Sequence, residues 1–594
     1  MYSKIYSFGK DITDKTLYSK ETGYGFVDQN NIEGSTKSEQ SLYSGGWNLR
    51  ESARDKWDAS LSTVADGVEI AGERFAMIFK AAVPEEGSYK ITVKSIAGAN
   101  GITNMSLFNG RRNLIERDIE VAPGATYTKT FMAYVAPYIP AMSSIPSTEK
   151  AVYISVTGTN AKISEITIEK TETPVLFIAG DSTLTDQNAM FPYYPYGSCA
   201  GWAQIMAQYF DTIAVCNQAH SGLTTNCFRD DGHWDIVKDR IKKGDIFMIQ
   251  FGHNDQKRRN LAAFGGYIDN LRWYVKEVRN RGAFPIIVSP ISRIPFMDEG
   301  KYRSVLETHA LACKMAAEEL NVPFIDLHSV TFDFLCGLGE EKSRDYFMKG
   351  DITHTNDYGA NKFSSFVIAE IKKKNIAPLA ELLNNRKVKE LLPDSDTKEL
   401  PIEPPAAGGM FDIELPYIDC KEIPQYKGVT DAFKKGLLDP CVMHLHPTEM
   451  MPRGQFLMVY FKALRINGKR PYLGRFCDLS RYEWDSSYAQ TCVEENLIDE
   501  TTVPNDRFRP NDALTQSEFA SFIIRGIQPN ADARNLSMEE CFTKAKDMNL
   551  LPDNCSPNAI ITRADCYTGL ASLMELIDTS NKDLPSDAEI HPVG

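Results

Sequence analysis

Five short runs between Val175 and Leu327 are apolar at almost every position: "VLFIA" from Val175, "IAVC" (213–216), "IFMIQF" (246–251), "PIIVS" (285–289) and "PFIDL" (323–327). A strand with one solvated face alternates apolar and polar residues, whereas a strand that is apolar throughout must be covered on both faces. Amphipathic stretches such as "GWAQIMAQYF" and "YIDNLRWYVKEVRNRG" lie between the runs and read as the covering helices. The pattern predicts a three-layer α/β domain over 173–395 with a flavodoxin-like parallel sheet. Functional groups in such a sheet belong at the carboxyl ends of its strands.

The flanks obey other periods. Over 1–172, "RFAMIFKAAV", "GSYKITVKSI", "TYTKTFMAYV", "KAVYISVTG" and "KISEITIEK" alternate with period two between Gly, Pro, Asn and Asp, which predicts a β-sandwich. A Pro-rich connector, "LLPDSDTKELPIEPPAAGG", places a linker at 396–415. From 416 to 594 one degenerate unit recurs three times: a helix, a short apolar turn, a loop, and a polar cap opening an amphipathic helix. The expected layout is thus a β-sandwich, an α/β domain and a mainly α repeat domain.

Composition excludes several roles. None of the 594 residues belongs to an apolar run of the ~18–20 residues that a helical membrane span needs, so no membrane partner is expected. A net charge of −14 argues against nucleic acid as a partner. The opening "MYSKIYSFGKDITDK" lacks the apolar core of a secretory signal, so cytoplasmic residence is expected, or a secreted or cell-surface site if a leader has been trimmed. The 12 cysteines form no CxxC pair and are expected to be free, mostly buried thiols. Cys441, His444 and His446 in "CVMHLHP" lack the paired spacing of a zinc site, and no metal or other cofactor is expected.

Polar bursts follow the buried runs of the middle region. "GDST" carries Ser182, "NQAHSGLTT" carries Gly222, "FGHNDQK" carries Asn254, and "GDITHTNDYGA" carries Asp351 and His354. Acyl transfer needs a nucleophile, a base, an acid to orient the base, and donors aimed at the developing oxyanion. Ser182 suits the first role, His354 the second and Asp351 the third. The Ser182 and Gly222 backbone N–H groups and the Asn254 amide suit the oxyanion, and a glycine at 222 lets a backbone donor approach without a Cβ in the way. His220, His253 and Asp181 read as loop supports. Lys257, Arg258 and Arg259 are either a solvated face or a contact for a carboxylated polysaccharide.

These segments resemble the conserved blocks of the SGNH (GDSL-like) hydrolases, and more closely those of the rhamnogalacturonan acetylesterase group, carbohydrate esterase family 12. "FIAGDSTLTDQ", "GWAQIMAQYF", "NQAHSGLTTNCFRDDGHWD", "KKGDIFMIQFGHNDQK" and "DITHTNDYGA" follow that group's pattern over about 174–372. The resemblance implies a serine esterase with Ser182, Asp351 and His354 as catalytic residues and Ser182, Gly222 and Asn254 around the oxyanion. It implies an acetylated polysaccharide or oligosaccharide as substrate, pectic first and xylan or mannan second. One departure is the short approach to the last block, "RDYFMKGDITH", which reshapes the expected cleft.

The sandwich resembles galactose-binding-like modules, and Tyr24, Tyr43 or Trp47 serves either as a sugar platform or in core packing; the module itself either binds glycan or walls the cleft. The C-terminal units resemble S-layer homology repeats, with "ITRAD" (Thr562, Arg563, Asp565) matched more weakly at Gln516 and at Arg453 with Gln455. The resemblance implies a cell-wall glycan partner; the alternative is a helical scaffold. Two rival functions stay open: a glycan-binding surface protein with a vestigial esterase, and a lipase or thioesterase for long acyl chains. Oligomeric state is not readable from the sequence.

Overall fold

The computed structural model describes residues 2–27, 47–49, 60–73, 75–139, 146–187, 189–191, 193–298, 300–393, 415–438, 442–464, 472–480, 483–499, 502–527 and 535–580. Tyr43, Cys441 and the connector from 394 to 414 lie outside the described residues, as do the side chains of Trp47 and Arg259. The chain divides into two compact units, Met1–Pro404 and Pro405–Gly594.

The apolar runs form one parallel sheet of five strands: β1 (Val175–Gly180), β2 (Ala214–Asn217), β3 (Ile246–Gln250), β4 (Phe284–Val288) and β5 (Phe324–Ile325). Their order is β2-β1-β3-β4-β5, the flavodoxin-like order, with the switch point between β1 and β3. Alternate side chains enter two separate cores. Leu176, Ile178, Ile246, Met248, Ile286 and Val288 pack on one face with Phe363, Val367 and Ile371 of helix α4. Val175, Phe177, Ala179, Phe247, Ile249 and Ile287 pack on the other with Leu271, Tyr274 and Val278 of α1 and Ala312 and Ala316 of α2. These helices are α1 (Ile268–Asn280), α2 (Glu307–Leu320) and α4 (Asp357–Lys374), with α3 (Leu327–Leu338) between the last two.

"GWAQIMAQYF" departs from expectation: Trp202–Tyr209 is a 3₁₀ helix. Tertiary bonds draw it tight against the serine loop. The Trp202 N–H donates to the Thr183 carbonyl at 3.0 Å, and its Nε1 donates to Gln250 Oε1 at 3.1 Å. Gly201 lies so close that a Cβ there would sit 2.2 Å from the Leu184 carbonyl carbon. Anchoring of its first residue wins over α-helical geometry.

The N-terminal region is an antiparallel sandwich. Ser3–Ser7, Glu165–Lys170, Gly87–Ile96 and Thr126–Val135 form one sheet in that order. Tyr24–Phe26, Met77–Ala82, Ala151–Thr159, Ile102–Asn109 and Asn113–Val121 form the second. Ile91, Val93, Phe131 and Ile166 of the first sheet share a core with Phe79, Leu107, Ile154 and Val156 of the second. Tyr24 is partly buried and packs against this core, its ring 5.3 Å from that of Tyr6. The core also takes in Ala200, Ile205 and Ala360 of the α/β region, and Trp47–Leu49 pairs in parallel with Ala189–Phe191 beyond the serine loop.

In the second unit three helix pairs follow the repeat: Tyr426–Lys434 with Arg453–Ala463, Ser486–Glu494 with Gln516–Ile527, and Met538–Asp547 with Arg563–Ser580. Single bridges Met450 to Thr562, Pro452 to Ala513 and Thr515 to Ile560 close the entries of the three longer helices into a ring. The repeat arginines face inward. Arg453 is fully buried and ion-paired with Glu518 of the next repeat, while Arg563 donates to the Leu445 carbonyl at 2.7 Å and to Gln455 Oε1 at 2.9 Å. Gln516 does the same work, accepting from the Ser556 N–H at 2.9 Å.

The described cysteines are free thiols, with Cys216, Cys313, Cys420, Cys492, Cys541 and Cys566 buried. Among the described residues, no group of three or more His, Cys, Asp or Glu side chains is arranged to hold a metal, and no helix is long and apolar enough to cross a membrane.

A buried carboxyl ties the loops at the functional edge of the parallel sheet. Asp255, after β3, accepts at Oδ1 from the Thr225 N–H (2.8 Å) and hydroxyl (2.6 Å), which belong to the loop after β2. Its Oδ2 is buried and has no hydrogen-bond partner among the described residues, and burial pushes the carboxyl up to about 7 from 3.8. Between those values the unfolded chain has released the proton and the folded chain keeps it, so folding stability falls as pH rises through this window and then levels. Asp255→Asn preserves the acceptor and removes the titration. The melting temperature of the variant relative to wild type is therefore expected to rise between about pH 4 and about pH 8, as thermal melts at both ends would read. An unchanged difference would mean that Asp255 is ionised in the fold.

Candidate active site

Full burial of β1 leaves its polar successors at the carboxyl edge, beside the switch point. The strand ends at Gly180, Asp181 follows, and Ser182 caps the exit at 5% exposure. Asp181 is fully buried and accepts at Oδ1 from the Thr183 N–H (3.0 Å) and hydroxyl (2.8 Å), which turns the chain sharply after the strand. His253 lies beneath the loop, with Nδ1 3.2 Å from Asp181 Oδ2 and Nε2 3.1 Å from the Ile291 carbonyl. Both residues support loops, as the sequence suggests.

The loop before α4 brings His354 to Ser182. His354 Nε2 lies 2.8 Å from Ser182 Oγ, and His354 Nδ1 lies 2.7 Å from Asp351 Oδ2. A carboxylate only accepts, so the imidazole carries its proton on Nδ1 and turns the Nε2 lone pair toward the hydroxyl. Asp351 Oδ1 also accepts from the N–H groups of Thr353 (2.7 Å) and His354 (3.2 Å). Burial alone would raise this carboxyl, but the His354 ring and these donors outweigh it and hold Asp351 well below the usual carboxylate range. The loop is fixed from behind by Asn356, which caps α4 by accepting from the Gly359 N–H at 3.1 Å.

The two other blocks meet on the neighbouring strands. After β2 the His220 N–H donates to the Gly180 carbonyl at 3.1 Å, which ties that loop to the end of β1. A turn follows, with the Leu223 N–H 3.4 Å from the His220 carbonyl and Gly222 at φ 79°, a left-handed position where glycine avoids strain. Asn254, after β3, donates one amide hydrogen to the Leu223 carbonyl at 3.1 Å and so joins the Gly222 turn. Its amide has a second hydrogen. Ser182, His354 and Asp351 thus form one hydrogen-bonded line, and Gly222 and Asn254 are joined through Leu223 beside it.

Sequence reasoning passed over Gln187. Its Nε2 donates to the Ser182 carbonyl at 3.0 Å and to Ser221 Oγ at 3.3 Å, bridging the serine loop and the Gly222 turn. It closes the quoted block "FIAGDSTLTDQ", which was the available signal. The arrangement can deprotonate a hydroxyl nucleophile, keep the resulting imidazolium paired, and donate hydrogen bonds to an oxyanion.

Residues 178–362 match the GDSL-like Lipase/Acylhydrolase family. The chain is 32% identical over 229 residues to the rhamnogalacturonan acetylesterase RhgT of Bacillus subtilis (strain 168), covering 36% of this chain and 96% of that protein. It is 30% identical over 215 residues to the probable rhamnogalacturonan acetylesterase YesY of the same organism, covering 35% of this chain and 95% of that one. It is 31% identical over 247 residues to the uncharacterized esterase YxiM, also of Bacillus subtilis, covering 39% of this chain but only 63% of that relative's length. A serine and histidine poised at a flavodoxin-like switch point, inside a segment that spans nearly the whole of two such relatives, make the conclusion plain: the chain belongs to the GDSL-like lipase/acylhydrolase family of ester hydrolases.

Proposed function

We propose that this chain removes O-acetyl groups from a pectic polysaccharide or its oligosaccharides through an acetyl-enzyme on Ser182. The observation that carries the reading is the unbroken line from Ser182 Oγ through His354 to Asp351. Ser182 Oγ attacks the acetyl carbonyl while His354 Nε2 takes its proton, and the same proton passes to the departing sugar oxygen. Water, deprotonated by His354, then releases acetate. Asp351 stays ionised and holds the imidazole in its productive tautomer. The Ser182 and Gly222 N–H groups and the Asn254 amide receive the oxyanion.

Two things support an acidic sugar. The relatives RhgT and YesY carry rhamnogalacturonan in their names. Cations also crowd the oxyanion block of a protein whose net charge is −14: Lys257 Nζ lies 3.5 Å from Asn254 Oδ1, and Arg293 donates to the His253 carbonyl at 3.2 Å. Over a screening length of ~8 Å such local charge outweighs the net value. A glycan-holding role for the C-terminal repeats would fall to surface groups other than Arg453 and Arg563, whose guanidiniums are used inside the unit.

Acetate release from acetylated rhamnogalacturonan, homogalacturonan, xylan and mannan tests the reading. Ser182→Ala is expected to lose turnover by at least ~10³-fold, and Asp351→Asn by roughly 10⁴-fold through the wrong tautomer. Turnover that survives Ser182→Ala would sink the mechanism, and Ser182-dependent release confined to xylan or mannan would sink the pectic assignment. Lys257→Ala is expected to raise KM on the acidic polymers about two- to tenfold at low salt, to fade as salt is added, and to leave neutral substrates unchanged. An equal effect on both kinds would show that Lys257 does not meet the carboxylate.

A further inference from the structure

One hairpin of the sandwich reaches the serine loop, the loop that carries His354 and the end of β2. Strands Ile102–Asn109 and Asn113–Val121 are joined by Gly110, Arg111 and Arg112, with Asn109 paired to Asn113. Arg112 sits at φ 60°, in the left-handed region that long side chains avoid. Such backbone persists only where its surroundings over-determine it, and here the surroundings lie in the α/β region.

The Arg112 guanidinium is 1% exposed and buried among acceptors. Its Nη1 donates to Asp357 Oδ1 (3.0 Å) and Oδ2 (3.1 Å), and Asp357 opens α4 three residues after His354. Its Nη2 donates to the Gln187 carbonyl (3.2 Å), to Gln204 Oε1 (3.3 Å) and to the Cys199 carbonyl. Gln204 in turn accepts from the Gln187 N–H at 3.2 Å, so the backbone of Gln187 is held on both sides. The Gln187 side chain then grips the Ser182 carbonyl and Ser221. One cation therefore fixes the serine loop through Gln187 and the histidine loop through Asp357. Its neighbours complete the clasp: Asn113 Nδ2 donates to Asp186 Oδ2 at 2.7 Å, and Arg111 Nη2 donates at 3.2 Å to the carbonyl of Asn217, the last residue of β2.

We propose that Arg112 is a positioning residue of the esterase, which sets the 2.8 Å approach of His354 Nε2 to Ser182 Oγ from outside the α/β region. The sandwich is by this reading a working part of the catalytic centre. The proposal rests on Ser182 and His354 as nucleophile and base. Arg112 touches neither, so it acts on the geometry of attack and leaves substrate contacts alone. A misplacement of about 1 Å at such a distance from the chemistry costs on the order of 10²-fold in rate.

The test uses the full chain, with a short acetyl ester as substrate and a fluorophosphonate that labels the active serine as a second probe. Arg112→Ala is expected to lose kcat by about 10²-fold with KM within about twofold, to slow fluorophosphonate labelling in parallel, and to recover about tenfold or more on adding guanidinium ion. Gln187→Ala leaves the Arg112–Asp357 pair in place and cuts the side-chain links to the Ser182 carbonyl and Ser221 Oγ; it is expected to lower kcat by about tenfold while its melting temperature stays near that of wild type. It decides the question if Arg112→Ala fails to fold. A folded Arg112→Ala with kcat within about twofold of wild type, or a Gln187→Ala with unchanged kcat, would overturn the proposal. So would a loss explained entirely by a smaller folded fraction, with unchanged labelling rate in that fraction and no response to guanidinium. Wild-type turnover that persists in Ser182→Ala marks failure of the serine assignment instead, and the proposal falls with it.

Discussion

The site depends on the double burial of β1. Both faces of Val175–Gly180 are enclosed, Leu176 and Ile178 in one core and Val175, Phe177 and Ala179 in the other. No chemistry can be carried along such a strand, because a polar side chain there would lose water without gaining a partner. All of it is deferred to the first turn beyond the sheet, where Asp181 bends the chain and Ser182 emerges. Parallel pairing brings the ends of β2 and β3 to the same side, so Gly222 and Asn254 arrive at the same edge. The order β2-β1-β3 puts the serine loop between the loops that carry Gly222 and Asn254.

What the sequence disclosed follows from how local each signal is. Asp351 and His354 are three positions apart and the hydrogen bonds that join them form within one loop, so their pairing was readable. Ser182 and Asn254 were readable because each follows a run that could only be a buried strand. Ile102–Asn109 and Asn113–Val121 escaped the alternation rule because their ladder slips register between Ile102 and Phe108, and Asn104 takes a left-handed φ of 51°. The 3₁₀ geometry of Trp202–Tyr209 was hidden as well, since it is imposed by Thr183, Leu184 and Gln250 from outside the segment. Arg112 carries no local signal at all: its carboxylate partner lies 245 positions away.

The C-terminal unit shows the same limit from the other side. The repeat was readable from its period, and the arginines stood out as the positions that carry the resemblance to S-layer homology repeats. Their environment reverses the obvious use. A guanidinium as buried as that of Arg453 is ion-paired with Glu518 across the repeat boundary, so the motif there records how one repeat is joined to the next. Motif positions with charge are read as ligand contacts by habit; burial decides whether they are.

The separation of Arg112 from Asp357 also orders the making of the protein. The hairpin leaves the ribosome 245 residues ahead of its carboxylate, a delay of roughly 10–50 s at ordinary rates of synthesis. Once Lys170 has emerged the sandwich strands can pair, but the guanidinium must stay in water, because burying it unpaired is prohibitive. The nascent sandwich therefore waits with one hydrated corner, which is sealed only when the start of α4 emerges. Completion of the first module is a late event of translation, timed by the second.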